Sequence, residues 1–232
     1  MSLSLVRDDG GVREYRFEVA GAGGRVPGLV WSPAGGVKPT VTVLIGHGRT
    51  SHKRNPHALA LASRFAARGW TAVAIDAPGH GERRAPGAGP EWPRPSADEA
   101  AGDWRAALEF LRGEARLDTS RLAYWGVSMG ASLGISLIAG DPRFQAAVLG
   151  LMHPNWPASP GARIRTDAGR LGCPVLFLVN WDDTRAPRAE AFELFDLIGS
   201  ADKRLHAYPG EHGQLPEEAF TASEEFLARY LE

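Results

Sequence analysis

The stretch Leu122-Ala123-Tyr124-Trp125-Gly126-Val127-Ser128-Met129-Gly130-Ala131-Ser132-Leu133-Gly134 decides how the whole chain is read. Its first half is an apolar run of strand character, and its second half is small and apolar at helical spacing. A strand therefore passes through a glycine-serine-glycine turn straight into a helix. Ser128 occupies the apex. A serine hydroxyl is a weak nucleophile at neutral pH, so a protein that uses one holds it on a sharp, exposed turn within reach of a general base. The Gly126-x-Ser128-x-Gly130 spacing suits such a turn, because a Cβ at either glycine would clash across it and the serine is forced into strained backbone angles. Gly130, Ala131 and Gly134 give the helix a small-residue face that can lie close against a sheet. In a chain with 28 glycines the bare spacing means little; the strand before it and the helix after it give it weight.

Outward from this turn, strand-like and helix-like segments alternate. Toward the N-terminus, Val12–Val19 and Val26–Trp31 flank a glycine-rich turn and read as an antiparallel hairpin. Thr40–Ile45 and Thr71–Ile75 are nearly continuous apolar runs, the mark of strands covered on both faces. Between them Pro56–Arg68 carries Leu59, Ala62, Phe65 and Ala66 on one helical face, and Gly69 closes the helix. Glu82–Ser96 is proline-rich, has no period, and reads as an ordered surface loop. Ser96 with Glu99 three residues on starts a helix whose buried face is Trp104, Leu108 and Leu111. Arg121–Trp125 feeds the central turn; Gln145–Leu149, Val175–Val179 and Arg204–Tyr208 are further strands. Helices over Pro187–Ile198 and Glu217–Tyr230 complete the pattern. Strand-helix alternation from Thr40 onward calls for an α/β fold, a mostly parallel sheet with helices on both faces.

Composition bounds the partners. A chain of 232 residues, 44% of them hydrophobic, is expected to form one domain over 1–232. Its 26 basic and 27 acidic residues nearly cancel and are scattered, which argues against nucleic acid. The single Cys173 excludes an intramolecular disulfide and fits a reducing compartment; it opens a buried strand and reads as a small core residue rather than a nucleophile. Met1–Val6 is too short for a signal peptide and no run is long enough for a membrane span, so a cytoplasmic protein is expected, with no membrane partner. His52 and His57 have no carboxylate at metal-ligand spacing, and no phosphate-cradling or dinucleotide loop is present, so neither metal nor organic cofactor is expected.

In such a sheet ligands bind at the carboxyl ends of the strands. Four of those ends are chemically loaded: His47-Gly48-Arg49, Ser128, Asp182-Asp183, and Glu211-His212-Gly213. Serine, then aspartate, then histidine at one sheet edge supplies a nucleophile, an orienting acid and a general base. Either aspartate stands just past its strand.

These residues resemble the α/β-hydrolases over about 26–230. Within that superfamily the chain is most similar to the dienelactone-hydrolase-like and small acyl-esterase branch. The motifs that carry the likeness are His47-Gly48, Asp76-x-Pro78-Gly79-His80-Gly81, Gly126-x-Ser128-x-Gly130, Cys173-Pro174-Val175-Leu176, Asp183-x-x-x-Pro187 and Gly210-x-His212-Gly213. The resemblance implies that Ser128 attacks an acyl carbon, that His212 takes its proton, and that the acid stands four residues before Pro187, at Asp183. It also implies an oxyanion hole from the backbone N–H groups of Met129 and Arg49. The chain departs from the family in having Thr50-Ser51 after the His-Gly pair and Asn180 before the acid, where glycines are common. The roughly twenty residues between Leu151 and Gly172 are too few for a cap domain. A shallow pocket walled by Trp92 and Trp156, with His47 nearby, is therefore expected to take small or medium acyl groups. Arg83, Arg84, Arg94, Arg163 and Arg185 could bind a substrate carboxylate at its mouth, although solvated surface is the ordinary fate of each. The function expected is hydrolysis of a small-molecule ester or lactone. A serine peptidase or thioesterase on the same triad, and a non-catalytic binding protein on the same fold, are the alternatives.

Overall fold

The computed structural model describes residues 2–35, 39–89, 91–114, 116–155 and 161–232. Its strands are β1 (Ser4–Asp8), β2 (Val12–Gly21), β3 (Gly24–Pro33), β4 (Thr42–Gly46), β5 (Thr71–Ile75), β6 (Leu122–Val127), β7 (Phe144–Gly150), β8 (Val175–Asn180) and β9 (Lys203–Tyr208). The helices are α1 (Pro56–Ala67), α2 (Ala97–Leu111), α3 (Met129–Ala139), α4 (Gly161–Gly169), α5 (Arg188–Leu197) and α6 (Glu217–Leu231), with a 3₁₀ turn at Gly81–Arg83. The strands form one sheet in the order β1-β2-β3-β5-β4-β6-β7-β8-β9. β1, β2, β3 and β5 are joined by antiparallel pairings, and every pairing from β5 through β4 to β9 is parallel.

The continuous apolar runs have the physical cause the sequence indicates. All residues of β4, β5, β6 and β8 are buried, and alternate side chains enter two separate cores. Leu44, Val73, Tyr124, Leu149 and Phe177 pack with residues of α2, α3, α4 and α5. Val43, Ala72, Trp125, Val148 and Leu178 pack on the opposite face with residues of α1 and α6. Ser96 Oγ accepts from Glu99 N at 3.1 Å and caps α2. Gly69 takes φ +79° just past α1, a left-handed angle that favours glycine.

Three readings are corrected. β1 was not expected, because its five residues are all exposed and it is held by backbone pairing with β2 and an exposed Asp8–Arg13 ion pair, which leaves no apolar pattern to find. α4 was not expected either: it is polar, burying Ile164, Asp167 and Ala168, with Asp167 accepting from Ser136 Oγ of α3 at 2.6 Å. In α1 the inward face is Ala58, Leu61, Ala62, Phe65 and Ala66, while Leu59 points out at 37% exposure.

Candidate active site

The parallel strands end together on one edge, and the turn after β6 passes straight into α3. Ser128 sits there at φ +58°, one of two described non-glycine residues with positive φ. Small residues make the turn possible. A Cβ on Gly130 would lie 2.5 Å from the Gly46 carbonyl oxygen, and one on Gly126 would lie 2.9 Å from the Gly130 carbonyl carbon. α3 thus starts in contact with the end of β4, and Tyr124 Oη donates to the Gly130 carbonyl at 2.7 Å. Ser128 N donates to Gly150 O at 2.9 Å, which ties the apex to the end of β7.

Two more strand ends reach this apex. Ser128 Oγ lies 2.9 Å from His212 Nε2, and His212 Nδ1 lies 2.7 Å from Asp183 Oδ2. The other oxygen, Asp183 Oδ1, accepts from Arg185 N at 2.8 Å and Ala186 N at 2.9 Å. Burial pushes the Asp183 carboxyl up, but the His212 hydrogen bond and these two backbone donors outweigh it and hold the group below its ordinary range. Asp182 turns the other way: its Oδ2 accepts from Gly210 N at 3.0 Å and pins the loop that carries His212. Asn180 braces the same loop, its Nδ2 donating to Glu211 O at 2.6 Å and Gln214 O at 3.2 Å. A neutral histidine with its proton on Nδ1 facing a carboxylate leaves Nε2 as an acceptor for the serine proton, which is the arrangement acyl transfer requires.

Met129 is the first residue of α3 and so its N–H has no partner within the helix. The N–H of Arg49 makes no hydrogen bond among the described residues. Both stand beside Ser128 in the chain or around the cavity it opens into, which has a volume of about 620 Å³. Arg49, Thr50, His57, Arg94, His153 and Arg185 contribute to its lining along with Ser128 and His212.

The expected pocket walls differ from this. His47 is buried behind the site: Nε2 accepts from Ala77 N at 3.0 Å, so Nδ1 carries the proton and donates to Gly48 O at 2.8 Å. It lines a separate small cavity under the turn, and burial lowers its pKa to about 4. Trp92 is not among the residues lining the cavity at Ser128; it packs 5.4 Å from the His80 ring and under the Arg84 guanidinium, 4.1 Å from its centroid. Trp156 lies outside the described residues. His57 and His153 were missed. His153 stands three residues past the end of β7, so the strand-end rule that found the other ends reaches it as well. His57, the second residue of α1, rests against the Trp125 and Phe220 rings, at 6.0 and 5.4 Å. Among the described residues no group of three or more His, Cys, Asp or Glu could hold a metal ion, and no helix is long and apolar enough to cross a membrane.

Comparison with known proteins places this geometry in a family. Residues 37–151 match the family described as serine aminopeptidase, S33. A cold-adapted esterase from an Arctic intertidal metagenomic library is 35% identical, with all of both chains covered and a TM-score of 0.89. The acetyl xylan esterase of Paenibacillus sp. R4 shares the fold at 22% identity and TM-score 0.76, over 99% of this chain and 88% of its own. An uncharacterized protein of Mycobacterium tuberculosis is 28% identical over 200 residues, 79% of this chain; the chain spans 66% of that relative's length. With a serine elbow on a largely parallel sheet and full-length similarity above 30% to a solved member, the chain belongs to the α/β-hydrolase superfamily.

Proposed function

We propose that the protein is a serine hydrolase of carboxylic esters that works through an acyl-enzyme. The observation that carries the reading is the unbroken hydrogen-bonded line from Ser128 Oγ through His212 to Asp183, opening on a cavity. Ser128 Oγ forms a bond to the acyl carbon as His212 Nε2 takes its proton. The carbonyl π pair moves onto oxygen, where the N–H groups of Met129 and Arg49 stabilise it and the α3 dipole favours the negative charge. The pair returns, the C–O bond to the alcohol breaks, and His212 protonates the departing oxygen. Water then repeats the sequence on the acyl-enzyme and releases the acid and Ser128. Asp183 holds the Nδ1 proton in place and offsets the imidazolium charge. Esters and lactones of small or medium size are the substrates proposed, by likeness to the esterase that is 35% identical and, more finely, to the dienelactone-hydrolase-like branch.

Ser128→Ala tests this. It should lower kcat on 4-nitrophenyl esters on the order of a million-fold and abolish labelling by a fluorophosphonate, with an unchanged melting temperature. Retention of more than a few per cent of wild-type turnover would sink the mechanism. The aminopeptidase name of the matched family favours amide cleavage as a second reading. Faster turnover of an amino-acid 4-nitroanilide than of the matching ester would select it.

A further inference from the structure

The wall of the cavity that runs from the end of β4 into α1 carries polar side chains that the fold does not use. Between Thr50 and His57, four polar side chains are engaged inside the protein. Lys53 Nζ reaches Asp76 Oδ2 at 2.6 Å, and Arg54 pairs with Glu14. His52 Nδ1 accepts from Arg54 N at 3.1 Å, while Asn55 accepts from Ala58 N at 3.1 Å and donates to His52 O at 2.9 Å. Thr50, Ser51 and His57 are the other three. They line the cavity together with Ser128, and their side chains make no hydrogen bond among the described residues.

His57 shows most clearly what this wall asks for. Its ring packs edge-on against Trp125 and tilted against Phe220. Phe220 has no hydrogen-bonding group in its side chain, and Trp125 Nε1 is already committed to Ser223 Oγ at 3.2 Å. Neither His57 nitrogen is sealed from solvent, so both open onto space a ligand can fill. Burial against the two rings lowers the pKa of the imidazole, which is therefore uncharged at neutral pH, with one nitrogen donating and the other accepting. The hydroxyls of Thr50 and Ser51 also donate and accept. The group that complements all three does both as well and carries no charge. An alcohol hydroxyl fits that description, whereas a carboxylate only accepts and an ammonium only donates.

We infer that the substrates of this site are esters that also carry free hydroxyl groups, which Thr50, Ser51 and His57 bind while Ser128 attacks the ester carbonyl. This rests on the hydrolase reading. The volume of about 620 Å³ leaves room for the ester and a hydroxylated arm in one molecule. The hydroxyls lie on the alcohol side or on the acyl side of the ester, and the two are separable by experiment.

The test measures kcat/KM for two pairs in which methyl replaces hydroxyl, each value divided by the rate of alkaline hydrolysis of the same ester. On the alcohol side, 2,3-dihydroxypropyl acetate is set against 2-methylbutyl acetate. On the acyl side, 4-nitrophenyl 6-hydroxyhexanoate is set against 4-nitrophenyl heptanoate. The hydroxylated member of at least one pair should be preferred by about tenfold, which corresponds to about 1.4 kcal/mol. In Thr50→Val/Ser51→Ala/His57→Phe that ratio should fall by about fivefold or more. His57→Phe alone keeps a ring against Trp125 and Phe220 and should lower it by about threefold; His57→Gln, which keeps a donor and an acceptor, should lower it less. Because the readout is a ratio within one protein sample, a partly misfolded variant does not mimic the effect. Hydrolysis of both methyl analogues at rates equal to or above their hydroxylated partners would overturn this inference and leave the hydrolase reading standing. A hydroxyl preference that survives unchanged in the triple variant would overturn it too. No turnover of any of the four would remove the hydrolase reading and this inference with it.

Discussion

Asp183→Asn should inactivate the enzyme for a reason that can be read atom by atom. Asp183 Oδ1 accepts two backbone N–H groups, from Arg185 at 2.8 Å and Ala186 at 2.9 Å, whereas Oδ2 faces His212 Nδ1 at 2.7 Å. An asparagine has one oxygen. Keeping it at the Oδ1 position satisfies both backbone donors and puts the NH₂ against Nδ1. The reversed amide would set NH₂ against two N–H groups and strand both, at about 1–3 kcal/mol each. The first orientation wins, and a donor facing Nδ1 drives the histidine proton to Nε2, so that Nε2 can no longer accept from Ser128 Oγ. The expected loss is about ten-thousand-fold in kcat, or about 5 kcal/mol. Asp182→Asn supplies the contrast, because its single acceptor role toward Gly210 N at 3.0 Å can be filled by an amide oxygen. That variant should stay within about threefold of wild type, a fraction of 1 kcal/mol. Saturating kcat on a 4-nitrophenyl ester, with melting temperatures as a folding control, decides the matter. A crippled Asp182→Asn beside an Asp183→Asn near wild type would refute the reasoning.

Other perturbations follow from the same contacts. Gly130→Ala drives a Cβ to 2.5 Å from the rigid Gly46 carbonyl, which should cost about 1–3 kcal/mol and lower the melting temperature by roughly 3–10 °C; an unchanged melting curve would contradict the close contact between α3 and β4. His47 is buried and neutral with a pKa lowered from 6.5 to about 4, so the unfolded chain binds its proton first as pH falls. Stability is full above about pH 6.5 and drops by roughly 3 kcal/mol by pH 4; urea midpoints of His47→Gln should show a shallower slope in that window, and an unaltered slope would reject the assignment. Lys53 Nζ contacts Asp76 Oδ2 and Glu82 Oε1, both at 2.6 Å, with Asp76 fully buried. Lys53→Met removes that cation from the carboxylate and should cost about 3–5 kcal/mol; a loss below about 1 kcal/mol in urea unfolding would show that the backbone N–H groups of Lys53 and Glu82, which donate to Asp76 at 2.8 and 2.9 Å, suffice.

What could be read from the sequence is what the backbone itself dictates. Gly126, Gly130 and Gly134 fix the turn at Ser128 because their neighbours leave no room for a Cβ, so the spacing, with a strand before it and a helix after it, announces a close approach of the two. Asp183 is set by a similar constraint. The chain must leave β8 and enter α5 just past Pro187, and the hydrogen bonds that make this bend, Arg185 N and Ala186 N to Asp183 Oδ1, orient the carboxylate toward His212. Asp182, one residue away, is turned to Gly210 by the same geometry. β1 was illegible for the opposite reason: fully exposed, it is held by the β2 backbone and needs no pattern of its own.

Side chains placed by contacts from distant segments escaped the sequence for a different reason. Trp92 and His47 carry large rings near the right strand ends, but Arg84 and His80 claim the one and Ala77 and Gly48 the other. An aromatic residue within a proline-rich loop states its appetite for a partner without naming it. The same holds for charge. Arg83, Arg84 and Arg163 looked equivalent to Arg94 and Arg185 as a string of letters, yet Asp103, the Gly89 carbonyl and Asp167 neutralise or engage the first three. Arg94 and Arg185, with Arg49, line the cavity, and their side chains have no hydrogen bond or ion pair among the described residues. Which arginines are available to a ligand is therefore a property of where the acids went, and the elements that carry those acids, α2 and α4 among them, had first to be folded against α3 before the difference existed.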